Sequence, residues 1–357
     1  MSILNVGTVN STNAVKLASY NNSNLPAGEI GMIIYNTDEE TVQLYNGTEW
    51  LNIGEKSFAA TGGTVLTPGN GYAYHVFTTP GILEVGGDGT FDILVVGGGG
   101  GGGSYYGGGG GGGGVAVATG MPVAAGSYPI VVGDGGAQSG TGPVKGNDGL
   151  DSKFGSQSQQ AYILGRGGGA GGGHYTTNPT ASGNSGGSGG GSSGNDPSPA
   201  NGTASQPGTN PSPFVTDYGN PGGYSTPTGG YAPAGGGGAG NAGVSIGGNI
   251  PGGGNGGNGI PVPGFEYTLI GLGPLPDANS PSGNQYGGGG GAGLYSTGVA
   301  PDRVGLGGAG GGGSGTNSPR GQTVGVDGTG GGGGGRHPSS GQGSAGGKGI
   351  VVVRYIV

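Results

Sequence analysis

Apolar and polar residues alternate loosely at the start of the chain, with Leu4, Val6, Val9, Val15 and Leu17 set among small polar residues over 1–27. That pattern predicts a short strand or extended arm that needs a partner. Tighter alternation follows. Gly31 to Tyr35 and Thr41 to Tyr45 read as strands around the turn Asn36-Thr37-Asp38, and Asn46-Gly47 supplies a second turn because both residues tolerate the positive φ of a type I′ hairpin. The product is a three-stranded meander. Units below roughly 40 residues rarely stand alone, and few residues are available to cover Tyr35, Tyr45 and Trp50, so the meander is expected to pack against copies of itself or a neighbouring protein.

A Gly/Pro/Asn-containing connector precedes a second β region. There Tyr74, Val76 and Thr78 share one face of a strand and Ala73, His75 and Phe77 the other, followed by the Pro80-Gly81 turn, Ile82 to Val85 and Phe91 to Val96. Val115 to Ala118, Tyr128 to Val132 and Ala161 to Leu164 are further strand candidates. The run Ile350 to Val357 is apolar and β-branched on both faces, which predicts a buried strand. Between these strands the pattern vanishes into glycine: Gly97 to Gly103 and Gly107 to Gly114 flank Ser104-Tyr105-Tyr106, with later runs at 235–238, 287–291, 310–313 and 330–335.

Composition sets how this must be held together. Of 357 residues, 106 are glycine and 24 proline, while the hydrophobic class makes up 30%, so most of the length cannot bury enough apolar surface to offset chain ordering. Charge does not expand the chain either, because only 8% of residues are charged and residues 165–349 carry six acids and five bases. The net charge of −8 is spread thinly and offers no basic patch for nucleic acid or anionic lipid. Without cysteine, neither disulfides nor thiolate metal sites are available. The amino terminus lacks the basic start and apolar stretch of a signal peptide, and nowhere do 18 apolar residues run together. The expectation is synthesis in a cytoplasm without export by its own signal and without membrane insertion.

Glycine costs roughly 0.5–1 kcal/mol relative to alanine in regular elements. Without Cβ atoms, however, chains in the polyproline II conformation can approach closely enough to hydrogen-bond backbone to backbone, as the axis of collagen illustrates. Collagen itself does not fit, since its Gly-X-Y period is interrupted by pure glycine and by β-branched strands. A flexible spacer is the competing reading for the Gly/Ser/Asn/Pro tracts of 181–230. Yet this stretch leaves the framework after Leu164 and returns at Ile350, which makes it an insertion and favours an ordered bundle.

Two resemblances add to this. The pattern G-x-I-x-Y-N-T-D followed by Y-N-G-T-E-W, over 26–54, resembles small β modules of phage tail-fibre and tailspike proteins. The order FDILVVGGGGGGG, GVAVATG, GSYPIVVGDGG, GNDGLDSKFG, AYILGRGGGAGGG and GKGIVVVRY, over 72–357, resembles the glycine-rich β domain of tailed-phage fibre and adhesin proteins. The resemblance implies bundled polyglycine II helices carrying receptor-contacting loops, and a homotrimer. The expected fold is mainly β: a short N-terminal β meander plus a β-sandwich-like framework with large polyglycine II insertions. Its parts are an attachment or oligomerisation arm and β module (1–55), a connector (56–71), a framework with glycine-rich loops (72–164), the insertion (165–349) and a closing strand (350–357).

The chain carries few residues arranged for chemistry. A G-x-G-x-x-G match arises by chance in such a composition, and Gly347-Lys348 fails as a P-loop because Gln342 and Gly349 stand where glycine and Ser/Thr belong. His75, His174 and His337 lack paired metal-ligand spacing. Asp148 and Asp151 in GNDGLDSKFG lack the acidic spacing of an EF-hand and read as a β-turn. Neither a cofactor nor a catalytic residue is expected. Tyrosines beside glycine-rich segments are more informative, because a phenol gives large contact area with a polar tip at small entropic cost. Tyr105, Tyr106, Tyr175, Tyr218, Tyr224, Tyr231, Tyr286 and Tyr295, with His174 and His337, are the candidate receptor contacts, against the alternative that they cover or staple the bundle.

The function expected is therefore non-enzymatic: a virion protein, tail fibre or adhesin, joined to other virion or tail proteins through residues 1–55 and contacting a host-surface saccharide or outer-membrane protein. Two alternatives stand beside it, a capsid or tail decoration serving as a stiff spacer, and a polysaccharide depolymerase whose paired carboxylates meet only in three dimensions.

Overall fold

The computed structural model describes residues 16–53, 59–140, 142–174, 180–194, 200–226, 232–247, 252–273, 284–293, 304–315, 324–336 and 341–357. Among these there is no helix, and the chain divides into two compact units, 1–59 and 60–357. The mainly β expectation holds.

The first unit is a four-stranded sheet, β1 (Ser19–Tyr20), β2 (Ile33–Asn36), β3 (Thr41–Tyr45) and β4 (Trp50–Asn52), in that order. The expected meander is β2–β4, and the arm supplies a fourth strand, β1, paired parallel to β2. Its buried face mixes Ile34, fully buried, with polar residues. On one face Asn36 is fully buried and its amide donates to Asn22 and to Gln43, while Gln43 donates to Asn52. On the other face Ile33, Leu44 and Leu51 stand opposite one another across three strands, with Tyr35 beside Val42 in the next row. Ile33 and Leu51 are more than two-fifths exposed.

The second unit is built on two sheets. Six strands run in the order β14 (Val215–Tyr218), β10 (Val115–Val123), β9 (Gly89–Val96), β17 (Ile350–Ile356), β7 (Tyr72–Phe77) and β6 (Thr64–Leu66). Five run in the order β13 (Ile163–Gly165), β12 (Ser152–Phe154), β11 (Gly126–Val131), β8 (Gly81–Val85) and β5 (Ala60–Thr61). The apolar carboxyl-terminal run is a central strand, as its composition predicted: Val352 pairs with Val76 on one side and Leu94 on the other. Strands β5 and β6 fall inside the stretch expected as a connector, because Gly62 and Gly63 both take positive φ and turn the chain tightly enough to form them.

The sheets face each other through β9, β10 and β17 on one side and β12 and β13 on the other. His75 points into this layer fully buried. A carbonyl can only accept, so Nδ1 donates to Gly62 O at 2.7 Å, and Nε2 is left facing the Tyr355 hydroxyl at 3.5 Å. Burial pushes its pKa down.

The reverse face of the six-stranded sheet is also covered, contrary to a simple two-layer reading. Tyr74, Val76, Leu94, Val96 and Val352 pack against Val262, Phe265, Tyr267, Ile270 and Tyr286, so part of the insertion returns to roof the framework instead of joining the bundle. A two-stranded pair, β15 (Ile260–Pro261) with β16 (Gln285–Tyr286), belongs to this roof. Arg354 on β17 holds it down: Nη1 donates to Gly264 O at 2.9 Å, Nε and Nη2 donate to Asp92 Oδ2, and the guanidinium lies over the Phe265 ring. Gly264 has φ +84°, and an added Cβ would strike the Arg354 guanidinium.

Candidate functional site

Two of the glycine runs grow directly out of framework strands. Strand β9 continues into 97–103 and β10 begins where 107–114 ends, with Gly97 N–H donating to Gly114 O as the hairpin ladder passes from sheet to glycine. Beyond that point the partners change every residue with a period of three. Gly97, Gly100 and Gly103 donate to Gly114, Gly111 and Gly108; Gly98, Gly101 and Ser104 to Leu150, Asn147 and Val144; Gly99 and Gly102 to Gly347 and Ser344. Carbonyls repeat the rule: Gly98 and Gly101 accept from Gly168 and Gly171, Gly100 and Gly103 from Gly333 and Arg336, and Gly99 from Gly136. Three residues per turn with no bond inside the strand is the polyproline II helix, here knitted to six neighbours: three antiparallel ones that accept its amides and three parallel ones that donate to it.

Strand 107–114 is enclosed in the same way by 97–103, 166–172, 330–336, 234–237, 188–191 and 290–293. Every radial direction is occupied by a neighbouring backbone, which is why side chains are excluded. A Cβ on Gly100 would lie 2.2 Å from Gly169 O, and one on Gly110 2.1 Å from Gly100 O. No real Cβ contact is so short, so the runs must be glycine to pack at all.

At the bundle's edge, where a backbone acceptor is missing, side chains take its place on the same period. Asp148 and Asp151 accept from Ala170 N at 2.7 Å and Gly167 N at 2.9 Å, and Asn258 and Asn255 accept from Ala309 N and Leu306 N. The expected β-turn at Asp148–Asp151 is therefore corrected. The segment is an extended bundle strand, and its carboxylates satisfy amides three residues apart.

The strands end together at the pole remote from the sheets. Ser104-Tyr105-Tyr106 closes the central pair there, with Tyr105 at φ +47° and Tyr106 at φ +54°. Left-handed backbone costs a non-glycine residue of order 1–2 kcal/mol, so the two tyrosines are held in this turn by their surroundings. Ser104 is fully buried; its Oγ donates to Val144 O and accepts from Val144 N, while its carbonyl accepts from His174 N at 3.2 Å. Gly194 N donates to Tyr106 O, Arg336 N to Gly103 O, and Gly107 N to Arg336 O. The Tyr106 and His174 rings meet edge to face, centroids 4.7 Å apart, and burial lowers the His174 pKa. Tyr105, Tyr106, His174 and Arg336 are all partly exposed, and the Arg336 Nε is buried without a hydrogen-bond partner. They form a polar, aromatic cap on a side-chain-poor rod.

The other sequence candidates separate. Tyr286 is a correction: it is fully buried in the roof, its hydroxyl donates to Phe265 O at 2.5 Å, and burial raises its pKa well above the usual tyrosine value. An apolar cluster claims it, so it cannot touch a receptor. Tyr218 lies half-buried on β14 against the same cluster. Tyr224 is 45% exposed on the bundle flank. Tyr175, Tyr231, Tyr295 and His337 lie outside the described residues. Arg336 was missed, although a signal existed: Ser104, His174 and Arg336 are each the first residue beyond a glycine run. Among the described residues no group of three or more His, Cys, Asp or Glu could hold a metal ion.

Compared with known protein families, residues 78–356 match the glycine-rich domain, a span running from the end of β7 to the last residue of β17. No curated protein matches the chain.

Proposed function

We propose, from the premise that this chain belongs to the glycine-rich domain family, that it is a non-enzymatic structural protein of a bacteriophage particle, a tail fibre or adhesin that touches the host surface with the far end of its bundle. The observation that carries this reading is the distribution of side chains. Backbone bonds make the rod, so side chains are not needed to build it, and the tyrosines held in left-handed turns stand at the pole where the strands end. Rigid aromatic anchors beside adaptable polar groups are the composition of recognition surfaces. Several copies per particle would multiply weak contacts to a saccharide or outer-membrane protein.

The first unit supports the rest of the proposal. An apolar row of Ile33, Leu44 and Leu51 on the outside of a small sheet is suited to a partner, which we take to be a second and third copy of this chain together with a neighbouring virion protein. The test is whether purified protein binds host cells and blocks infection by the phage. The double variant Tyr105→Ser/Tyr106→Ser should keep the fold and lose at least about tenfold in cell binding, the scale of two aromatic contacts. Wild-type protein that neither binds nor blocks would replace this reading with the spacer one, and release of reducing sugar from host envelope would replace it with a depolymerase.

A further inference from the structure

At the framework end of the second unit, away from the cap, a cavity of about 490 Å³ is lined by Met121, Pro122, Tyr162, Pro213 and Phe214, with Gln157 and Gln160 among its remaining walls. Its walls are fixed before anything binds. Asn210 accepts from Leu164 N at 2.9 Å, donates to Leu164 O at 3.0 Å and to Asp217, and so locks the 211–214 wall to β13 and β14. Gln159 accepts from Ser156 N at 2.8 Å and donates to Ser127 O at 3.0 Å, which braces the opposite wall. Phe214 is nevertheless 42% exposed, and Gln157 and Gln160 are exposed too. Among the described residues, the amides of Gln157 and Gln160 and the Tyr162 hydroxyl have no hydrogen-bond partner.

No charged side chain lines the cavity, which argues against a phosphate, carboxylate or ammonium ligand. It offers instead flat apolar surface from proline, methionine and aromatic rings, interrupted by neutral hydrogen-bond donors. An extended proline-rich segment presents the complement. Its rings are apolar and preformed, and its backbone carbonyls, unpaired within the polyproline II helix, seek donors every turn of about 9 Å. We infer that this cavity docks a proline-rich segment of a partner protein in the polyproline II conformation, with Phe214 and Tyr162 packing on the proline rings and Gln157 and Gln160 donating to its carbonyls. The site is separate from the bundle cap, so it stands whether or not the cap binds a receptor.

The experiment is fluorescence anisotropy of a labelled decaproline peptide titrated with the full-length protein, beside a Gly-Ser peptide of equal length. Saturable binding of decaproline alone is expected. Phe214→Ser should weaken it at least about tenfold, in line with loss of an aromatic anchor, and Gln160→Ala about threefold or more, in line with loss of one hydrogen bond. Both side chains are exposed, so the melting temperature should stay near that of wild type. The Tyr105→Ser/Tyr106→Ser variant should bind decaproline as wild type does, which separates this inference from the receptor reading. Absence of saturable binding, equal binding by Phe214→Ser and wild type, or displacement of the peptide by a neutral oligosaccharide such as maltotetraose would overturn it.

Discussion

At Gly110 an added methyl group would meet the Gly100 carbonyl at 2.1 Å, whereas at Gly87 it would meet nothing within 4 Å and the backbone is not left-handed. Both are glycines of the same chain, yet their substitution should have opposite consequences. Gly110→Ala forces apart two backbones that are each bonded elsewhere, and should destabilise the second unit by about 3 kcal/mol or more, the upper range of overpacking. Gly87→Ala should be neutral or stabilising by up to about 1 kcal/mol, because it restricts only the unfolded chain. Thermal unfolding of the two variants checks the contrast. His75 gives a pH prediction on the same scale. Its folded pKa is lowered by burial, so the unfolded state binds the proton more readily. The stability it contributes is complete above the unfolded value near 6.5 and is lost as pH falls below it. Melting temperature should drop on acidification from pH 7.5 toward 5.5, and His75→Gln should flatten that slope.

Between residues and whole molecule, the informative elements are those whose polarity departs from the ordinary. The edge strand carrying Asp148 and Asp151 works because a carboxylate oxygen can replace a missing carbonyl every third residue. Asp148→Ala leaves the Ala170 amide unpaired and should cost about 1–2 kcal/mol, read as faster hydrogen exchange at Ala170. Asp148→Asn, which keeps an acceptor oxygen, should restore much of the protection. In the first unit the row of Ile33, Leu44 and Leu51 lies part-exposed on the face opposite the buried Ile34. On the association of copies proposed above, Leu44→Asp should leave the polar side of the sheet intact and lower the mass in light scattering to that of a monomer; an unchanged mass would mean that this face is not the association surface. The strand positions were partly legible. Alternation located β7–β9 and apolar β-branched composition the closing β17, and Val115 to Ala118, Tyr128 to Val132 and Ala161 to Leu164 fell on β10, β11 and β13, whereas β12 and β14 are Ser-Lys-Phe and Val-Thr-Asp-Tyr, with no apolar pattern to mark them. Roofing of the six-stranded sheet by Phe265 and Tyr267 was not legible either, since nothing local distinguishes a segment that packs on a sheet from one that joins a bundle.

Over the whole molecule, a conventional core accounts for the framework, while the bundle has almost none and is held by main-chain hydrogen bonds. Each contributes only about 0.5–1.5 kcal/mol net, but they are numerous, and a buried amide that loses its partner has no water to replace it. Opening the bundle should therefore be cooperative. In hydrogen-exchange mass spectrometry the amides of 97–114 should be among the slowest of the chain, comparable with β9 and β17. Rapid exchange there would show that the knitted arrangement does not persist in solution.

The amino-acid sequence by itself determined that the protein is mainly β, that its terminal run is a buried strand, and that glycine-rich stretches must satisfy their amides through one another, because composition limits what can be buried and side-chain period selects the element. Tertiary structure alone decided which runs become neighbours, which pole collects Tyr105, Tyr106, His174 and Arg336, and that Tyr286 lies in the core while Tyr224 faces water. Glycine carries no side chain by which one run could be told from another. The pairing of 97–103 with 107–114 is set by the framework strands β9 and β10 that launch them, and those strands find their places only through contacts distant in the chain.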